Sequence, residues 1–115
     1  MTIFHFVGQR EWDKARGSKC YEPDSLKSEG FIHCCTRIQI SGLARRLCED
    51  QPNILLLEMD EALVKKRVIH EDLYGNNQLF PHIYGELNLD AVIGVYTVES
   101  AEGDQVTLTP CIDLL

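Results

Sequence analysis

Residues 31–40 have the sequence Phe-Ile-His-Cys-Cys-Thr-Arg-Ile-Gln-Ile, in which a strand pattern gives way to the start of a helix. The first five side chains alternate between two faces, as is typical of a β-strand. Thr36 and Gln39 then match a capping box, in which two side chains satisfy exposed backbone amides reciprocally. Apolar residues keep helical spacing from Ile40 to Cys48. The sequence therefore predicts a strand over 31–35 and a helix that begins at Thr36.

Gly42 lies inside this predicted helix. A glycine there costs about 1 kcal/mol relative to alanine. Either close packing requires a bare backbone at Gly42, or the helix is locally weak.

The segments on either side of this stretch alternate between short strand and helix patterns. Upstream we predict a strand over Thr2–Val7, a helix over Gln9–Arg16 with Trp12 and Ala15 inward and a left-handed Gly17 at its end, and helical turns over Asp24–Glu29 that stop at Gly30. Downstream we predict a strand over Ile54–Met59, a helical turn over Glu61–Val64, and strands over Arg67–Glu71, Ala91–Val98 and Val106–Thr109, the last two joined by a hairpin-like connection at 101–104. Strands outnumber helices, and the helices cluster in the N-terminal half. This order favours an α+β fold over alternating βαβ units.

The 115 residues suffice for one domain, which we expect to span 1–115. The net charge is −7, and every Lys and Arg lies at or before Arg67. This acidity argues against a general nucleic-acid binder and places any phosphate site in the N-terminal part. The longest uncharged apolar run, Ile54–Leu57, is too short for a membrane span. We expect a cytoplasmic protein whose five cysteines are reduced thiols.

Histidines are the first candidate functional residues. His5 and His33 both lie in the middle of predicted strands with apolar neighbours, so their imidazoles would project into one cleft if the strands pair. The alternative for each of them, as for His70 and His82, is a core or boundary histidine with one ring nitrogen bonded to a carbonyl group.

The sequence Phe-Pro-His-Ile-Tyr-Gly at 80–85 is the second candidate feature, since it concentrates aromatic residues after a turn-rich loop. Aromatic residues in such a place line small-molecule pockets, although a structural turn packed on the sheet is the alternative. Glu71 is able to accept a hydrogen bond from a sugar hydroxyl or act as a base, or else belongs to a solvated acidic edge. Candidates for holding phosphate are Arg10, Lys14, Arg37, Arg45 and Arg46, and the alternative is that they keep exposed helix faces solvated.

A metal site built from His33, Cys34, Cys35 and His82 is disfavoured by spacing. Strand alternation sends Cys34 to the face opposite His33 and Cys35, and no C-x-x-C or H-x-x-x-H pattern is present. We therefore expect no metal, and we interpret the adjacent cysteines as small buried side chains.

Several motifs resemble the small bacterial family called domain of unknown function 952. They are Ile3-Phe4-His5, Glu11-Trp12, Tyr21-Glu22-Pro23-Asp24-Ser25-Leu26, Glu29-Gly30-Phe31-Ile32-His33-Cys34 and Phe80-Pro81-His82-Ile83-Tyr84-Gly85. The family is similar in fold to the ADP-ribosyltransferases, which bind NAD between two split, mostly antiparallel sheets. Within that superfamily the chain looks most like the RNA 2′-phosphotransferase branch.

The resemblance implies roles for particular residues. As catalytic candidates it implies His5, His33, Glu71 and His82, with either Glu71 or His82 in the position that promotes transfer, and as NAD-binding candidates it implies His5, His33, Cys35, Tyr84, Phe80 and Arg37. Two departures are Cys35, where relatives often have Ser, and the lack of a Glu-x-Glu pair around Glu71.

Two functions follow as expectations from this resemblance. The first is an NAD-dependent transferase with an unknown acceptor. The alternative is a non-catalytic module that binds a nucleotide or another small ligand in the same cleft. With either function, we expect a small-molecule or nucleotide ligand and neither a nucleic acid nor a membrane as a partner.

Overall fold

The computed structural model describes residues 1–51, 53–102 and 105–115. In chain order the strands are β1 (Thr2–Gly8), β2 (Cys20–Tyr21), β3 (Ile32–His33), β4 (Ile54–Asp60), β5 (Arg67–Glu71), β6 (Phe80–Tyr84), β7 (Leu87–Asn88), β8 (Val92–Glu102) and β9 (Gln105–Pro110). The helices are α1 (Gln9–Arg16), α2 (Ser25–Ser28) and α3 (Ile40–Asp50), with 3-10 turns at Arg37–Gln39, Glu61–Leu63, Leu89–Ala91 and Ile112–Leu114. The predicted α+β class is confirmed, with the three helices in the N-terminal half.

The largest sheet has four strands in the order β1-β4-β8-β9. Every pairing in it is antiparallel. Its centre is β4, where Leu55, Leu56 and Leu57 are fully buried because both faces of the strand are covered. Burial on both faces explains why Ile54–Met59 is a continuous apolar run instead of an alternating one.

A second, three-stranded sheet has the order β3-β6-β5, and β2 pairs with β7 in a third. The first two sheets meet where Phe4 of β1 and Cys35, just after β3, form an isolated antiparallel bridge. The amide of each donates to the carbonyl of the other at 2.8 Å. This bridge places β3 beside the edge of the four-stranded sheet.

Most helix predictions hold. In α1, Trp12 and Ala15 are buried as expected. The capping box at Thr36 is present, with the Gln39 side chain accepting from the Thr36 amide at 2.9 Å. The helix begins with a 3-10 turn, and α3 proper begins only at Ile40. None of the described helices is both long and apolar enough to cross a membrane.

Some expectations differ from the structure, and one lies partly outside the described residues. The strand predicted over 31–35 spans only Ile32–His33. Gly17 has φ −81°, a right-handed conformation, because its amide donates to the Lys14 carbonyl at 3.3 Å and the Ser18 amide donates to that of Ala15 at 2.9 Å, which closes the last turn. Residues 80–84 form a strand, β6, where the sequence pointed only to a pocket lining or a turn. In the connection predicted at 101–104, Gly103 and Asp104 lie outside the described residues, while Glu102 and Gln105 on either side are paired.

Candidate functional site

The three-stranded sheet brings His33 and His82 together. The two residues are directly opposite each other in the β3–β6 register, so their side chains project from the same face. Their ring centroids are 5.5 Å apart, at an interplanar angle of 81°. Sequence reasoning paired His33 with His5 instead, because the partner of β3 was not evident from spacing.

Each of these two histidines has its own carboxylate partner. His33 Nε2 donates to Glu29 Oε2 at 2.6 Å, and His82 Nδ1 donates to Glu71 Oε2 at 3.0 Å. A tyrosine completes each pair: Tyr74 donates to Glu29 at 3.1 Å, and Tyr84 donates to Glu71. We call these six residues the histidine face: Glu29, His33, Glu71, Tyr74, His82 and Tyr84.

Phe31 decides which of the two imidazoles is accessible. Its ring stacks on His82 with centroids 4.2 Å apart and contacts His33 edge-on at 4.8 Å. The His82 side chain is only 2% exposed, while that of His33 is 42% exposed. A ligand approaching this face would meet His33 first, and His82 would act from beneath Phe31.

The carboxylates of the histidine face are held ionised. Hydrogen bonds from Tyr84 and then His82 lower the pKa of Glu71 below its usual value. The hydrogen bond from His33 is the main cause that lowers the pKa of Glu29. Because Glu71 keeps 21% of its side chain exposed, the face presents negative charge beside an accessible imidazole at neutral pH.

His5 lies behind this face, in the interior. Its Nδ1 donates to the backbone carbonyl of His33 at 2.5 Å, and Tyr21 donates its hydroxyl hydrogen to Nε2 at 2.9 Å. Burial lowers the pKa of His5 to about 4, so the ring is neutral at pH 7. Both ring nitrogens therefore have protein partners, and the imidazole fixes the backbone of β3 in place.

Three other predicted NAD-binding residues, Cys35, Phe80 and Arg37, are grouped around Phe4. Cys35 is buried in the same apolar cluster as Phe4, and Phe80 packs against that cluster. Arg37 lies over the Phe4 ring at 5.1 Å and is 3.6 Å from Glu58. Burial raises the pKa of Cys35 to about 12, so its thiol is protonated.

A cavity of about 370 Å³ connects the two predicted strand histidines. Its wall includes His5, Tyr21 and His33, together with Leu43 and Leu47 of α3. The cavity lies where β1 and the segment after β3 are bridged. Its size falls within the range of small-molecule pockets.

Sequence reasoning missed Glu29, Phe31 and Tyr74 as site residues. Glu29 precedes His33 by four residues, but a turn separates them, since Gly30 has φ +88°. Tyr74 lies in a loop fixed by Asp72, whose carboxylate accepts from the amides of Asn76 and Asn77 at 3.0 and 2.8 Å. An Asx-type turn at Asp72 was the available signal for an ordered loop.

Comparisons with known proteins agree on fold and say nothing of activity. A family model described as "Protein of unknown function (DUF952)" matches residues 6–95. The X-ray crystal structure of protein CC0527 from Caulobacter crescentus is similar, with a TM-score of 0.70, 22% identity, and coverage of 98% of this chain and 96% of that one. The solution NMR structure of CC0527 gives a TM-score of 0.74 at 24% identity, covering 91% and 90%. No curated protein matches the chain.

Proposed function

Because the chain belongs to the DUF952 family, whose function is unknown, its own site has to indicate the chemistry, and we propose that it is an NAD-dependent transferase of the ADP-ribosyltransferase type. One observation carries the proposal. An ionised, partly exposed carboxylate, Glu71, is held by His82 and Tyr84 on the face that presents the accessible imidazole of His33.

The charged and polar side chains of the histidine face suit the cleavage of the bond between ribose and nicotinamide. When the bond between ribose and nicotinamide breaks, its electron pair leaves with nicotinamide, and positive charge builds on the ribose. An ionised Glu71 stabilises that charge more in the transition state than in the ground state. His33 takes the proton of the attacking water or acceptor group, and Glu29 stabilises the imidazolium that results.

His5 and His82 act as positioning residues in this proposal. His5 holds the His33 carbonyl, and His82 orients the Glu71 carboxylate from beneath Phe31. Tyr84 also orients the Glu71 carboxylate. His33, Glu71 and Tyr74 are the members that would touch a ligand, and Glu29, which is also exposed, supports His33.

The acceptor is proposed to be water, a small molecule or a protein side chain. Residues 68–115 carry eight acidic residues and no Lys or Arg. A long RNA acceptor requires repeated cationic contacts along its phosphates, which that part of the chain does not supply.

The test is nicotinamide release from NAD, measured by chromatography for the purified chain and for Glu71→Gln. Glutamine keeps the shape of the side chain and removes its charge, so we expect release to fall by about 10²-fold or more. Glu61→Gln is the matched control, since Glu61 accepts from His70 at 2.8 Å in a separate His–Glu pair. Release at the spontaneous rate of NAD, or equal loss in both variants, would contradict the proposal.

A non-catalytic binding module is the second candidate, favoured by one observation. His33 and Glu71 both already have hydrogen-bond partners within the protein, so the face is complete without a reacting ligand. Calorimetric titration with NAD separates the two functions. Saturable binding without nicotinamide release supports the module, whereas release supports the enzyme.

A further inference from the structure

A second cavity, of about 500 Å³, lies beside the two-stranded sheet β2–β7. Its wall includes three of the five lysines in the chain, Lys19, Lys65 and Lys66. We call it the lysine cavity. Its lining residues are separate from those of the histidine face: Lys19, Cys20, Lys65, Lys66, Glu86, Asn88 and Asp90.

Two groups hold the backbone around these lysines by hydrogen bonds: the buried side chain of Asn88 and the backbone amide of Leu89. Asn88 is 7% exposed; its Oδ1 accepts from the Lys65 amide at 2.9 Å, and its Nδ2 donates to the Leu63 carbonyl at 2.9 Å. The amide of Leu89 donates to the Lys19 carbonyl at 3.3 Å. Two segments far apart in sequence are thus fixed side by side at the end of β7.

Gly85 makes room for the third lysine. Its φ is +151°, and a Cβ built there would lie 2.7 Å from Lys66 Cγ. The aliphatic stem of Lys66 therefore crosses a backbone position that only glycine leaves open. This glycine is the last residue of the Phe-Pro-His-Ile-Tyr-Gly motif, so the end of the motif leaves space for the Lys66 side chain.

The ammonium groups of the cavity are not neutralised by direct ion pairs within the described residues. In the described part of the chain, no carboxylate forms an ion pair with any of the three ammonium groups. The two carboxylates of the cavity are hydrogen-bonded to other lining residues: Asp90 accepts from Asn88 Nδ2 at 2.5 Å, and the Cys20 thiol bonds Glu86. The lining therefore carries three positive and two negative side chains. Three neighbouring cations repel one another, and a bound anion would offset that repulsion.

We propose that the lysine cavity binds the phosphate group of a small molecule. Lysine ammonium groups bind phosphate as point charges, and three of them suit its multiple negative charge. The cavity volume lies within the range of small-ligand sites. The whole chain is acidic, with a net charge of −7, so this concentration of lysines runs against its overall charge. The site is independent of whether NAD binds at the histidine face.

The test is an amide-resolved NMR titration of the full chain at constant ionic strength. The probes are inorganic phosphate, pyrophosphate and adenosine monophosphate, with sodium chloride as the reference salt. We expect saturable shifts at residues 19–20, 65–66 and 85–88. Tighter binding of adenosine monophosphate would identify an organic phosphate, and equal or weaker binding would identify free phosphate or pyrophosphate as the ligand.

Variants establish where the anion binds. Lys65→Gln/Lys66→Gln should weaken binding by about tenfold or more, because two of three charges are removed. Lys19→Gln should weaken it less. Lys27→Gln, on the exposed surface of α2, is the control and should leave binding within about twofold, because Lys27 does not line the cavity and exposed charges are screened by salt. Unsaturable shifts, or binding that survives in the double variant, would overturn the proposal.

Discussion

At the scale of single residues, the four histidines of this chain have different roles because their neighbours differ. His5 is buried and neutral, with its ring between a carbonyl and a tyrosine hydroxyl. His82 is buried against a carboxylate and a phenyl ring, whereas His33 is half-exposed. Sequence alternation identified His5 and His33 as strand residues but had no means of showing which ring nitrogens are already bonded.

His5 predicts a pH dependence of stability. Its pKa is about 4 in the folded chain against an ordinary value of 6.5, so the unfolded chain takes up a proton first as the pH falls. Its contribution is complete above pH 6.5 and is lost as the pH falls toward 4. The difference corresponds to about 3 kcal/mol of unfolding free energy.

Urea unfolding between pH 4 and pH 7.5 measures this effect in wild type and in His5→Gln. We expect the variant to be less stable at pH 7.5 and to show a shallower loss on acidification, because glutamine does not titrate. His70→Gln is the control, since His70 is partly exposed and paired with Glu61. A loss with the same slope in wild type and His5→Gln would show that His5 is not the buried neutral group described.

At the scale of elements, local signals predicted where most elements lie and the bounds of two of them, and long-range pairing decided the rest. The bounds of α1 and β5 agree with prediction, because helix caps and alternation are local. β6 was missed because Pro81 argues against a central strand. Pro81 is tolerated because its carbonyl still accepts a hydrogen bond from the Cys34 amide at 3.0 Å. Proline has no backbone N–H, so it donates no hydrogen bond back to Cys34. The β3–β6 ladder accordingly ends at His33.

Two glycines test this view of the elements. Gly42 in α3 has nothing within 4 Å of a built Cβ, so the helix is locally weak there and close packing does not require the bare backbone. Gly42→Ala should therefore stabilise the chain by about 0.5–1 kcal/mol. Gly85→Ala should destabilise it by about 1 kcal/mol or more, since φ is +151° and Lys66 occupies the space.

Thermal unfolding of both variants beside wild type checks the pair, each serving as the control for the other. Shifts of Tm in the same direction would be inconsistent with the two backbone environments described.

At the scale of the whole molecule, the fold joins distant parts of the chain around the site. The C-terminal 3-10 turn is held on α1, with Trp12 Nε1 donating to the Leu114 carbonyl and Arg16 donating to that of Asp113, each at 2.6 Å. The β1–β3 bridge joins the two main sheets. The α+β class followed from the order of elements, but the site depends on strand order, which composition and periodicity do not encode.

The histidine face shows this limit most clearly. Its first histidine–carboxylate pair, His33 with Glu29, comes from β3 and the end of α2. Its second pair, His82 with Glu71, comes from β6 and β5. Each residue type was visible in the sequence, but the pairing of β5 with β6 is what brings Glu71 within hydrogen-bond distance of His82. The pairing of β3 with β6 then brings this pair beside the local pair of His33 and Glu29. The family resemblance supplied candidates, and the register supplied their partners.

We propose that this chain binds NAD at the histidine face. An amide-resolved NMR titration with NAD, comparing wild type with His33→Ala, tests it most directly. We expect saturable shifts clustered at Glu29, Phe31–His33, Tyr74 and Tyr84 that are lost in the variant. No shift at millimolar NAD, or shifts that persist unchanged in His33→Ala, would contradict it.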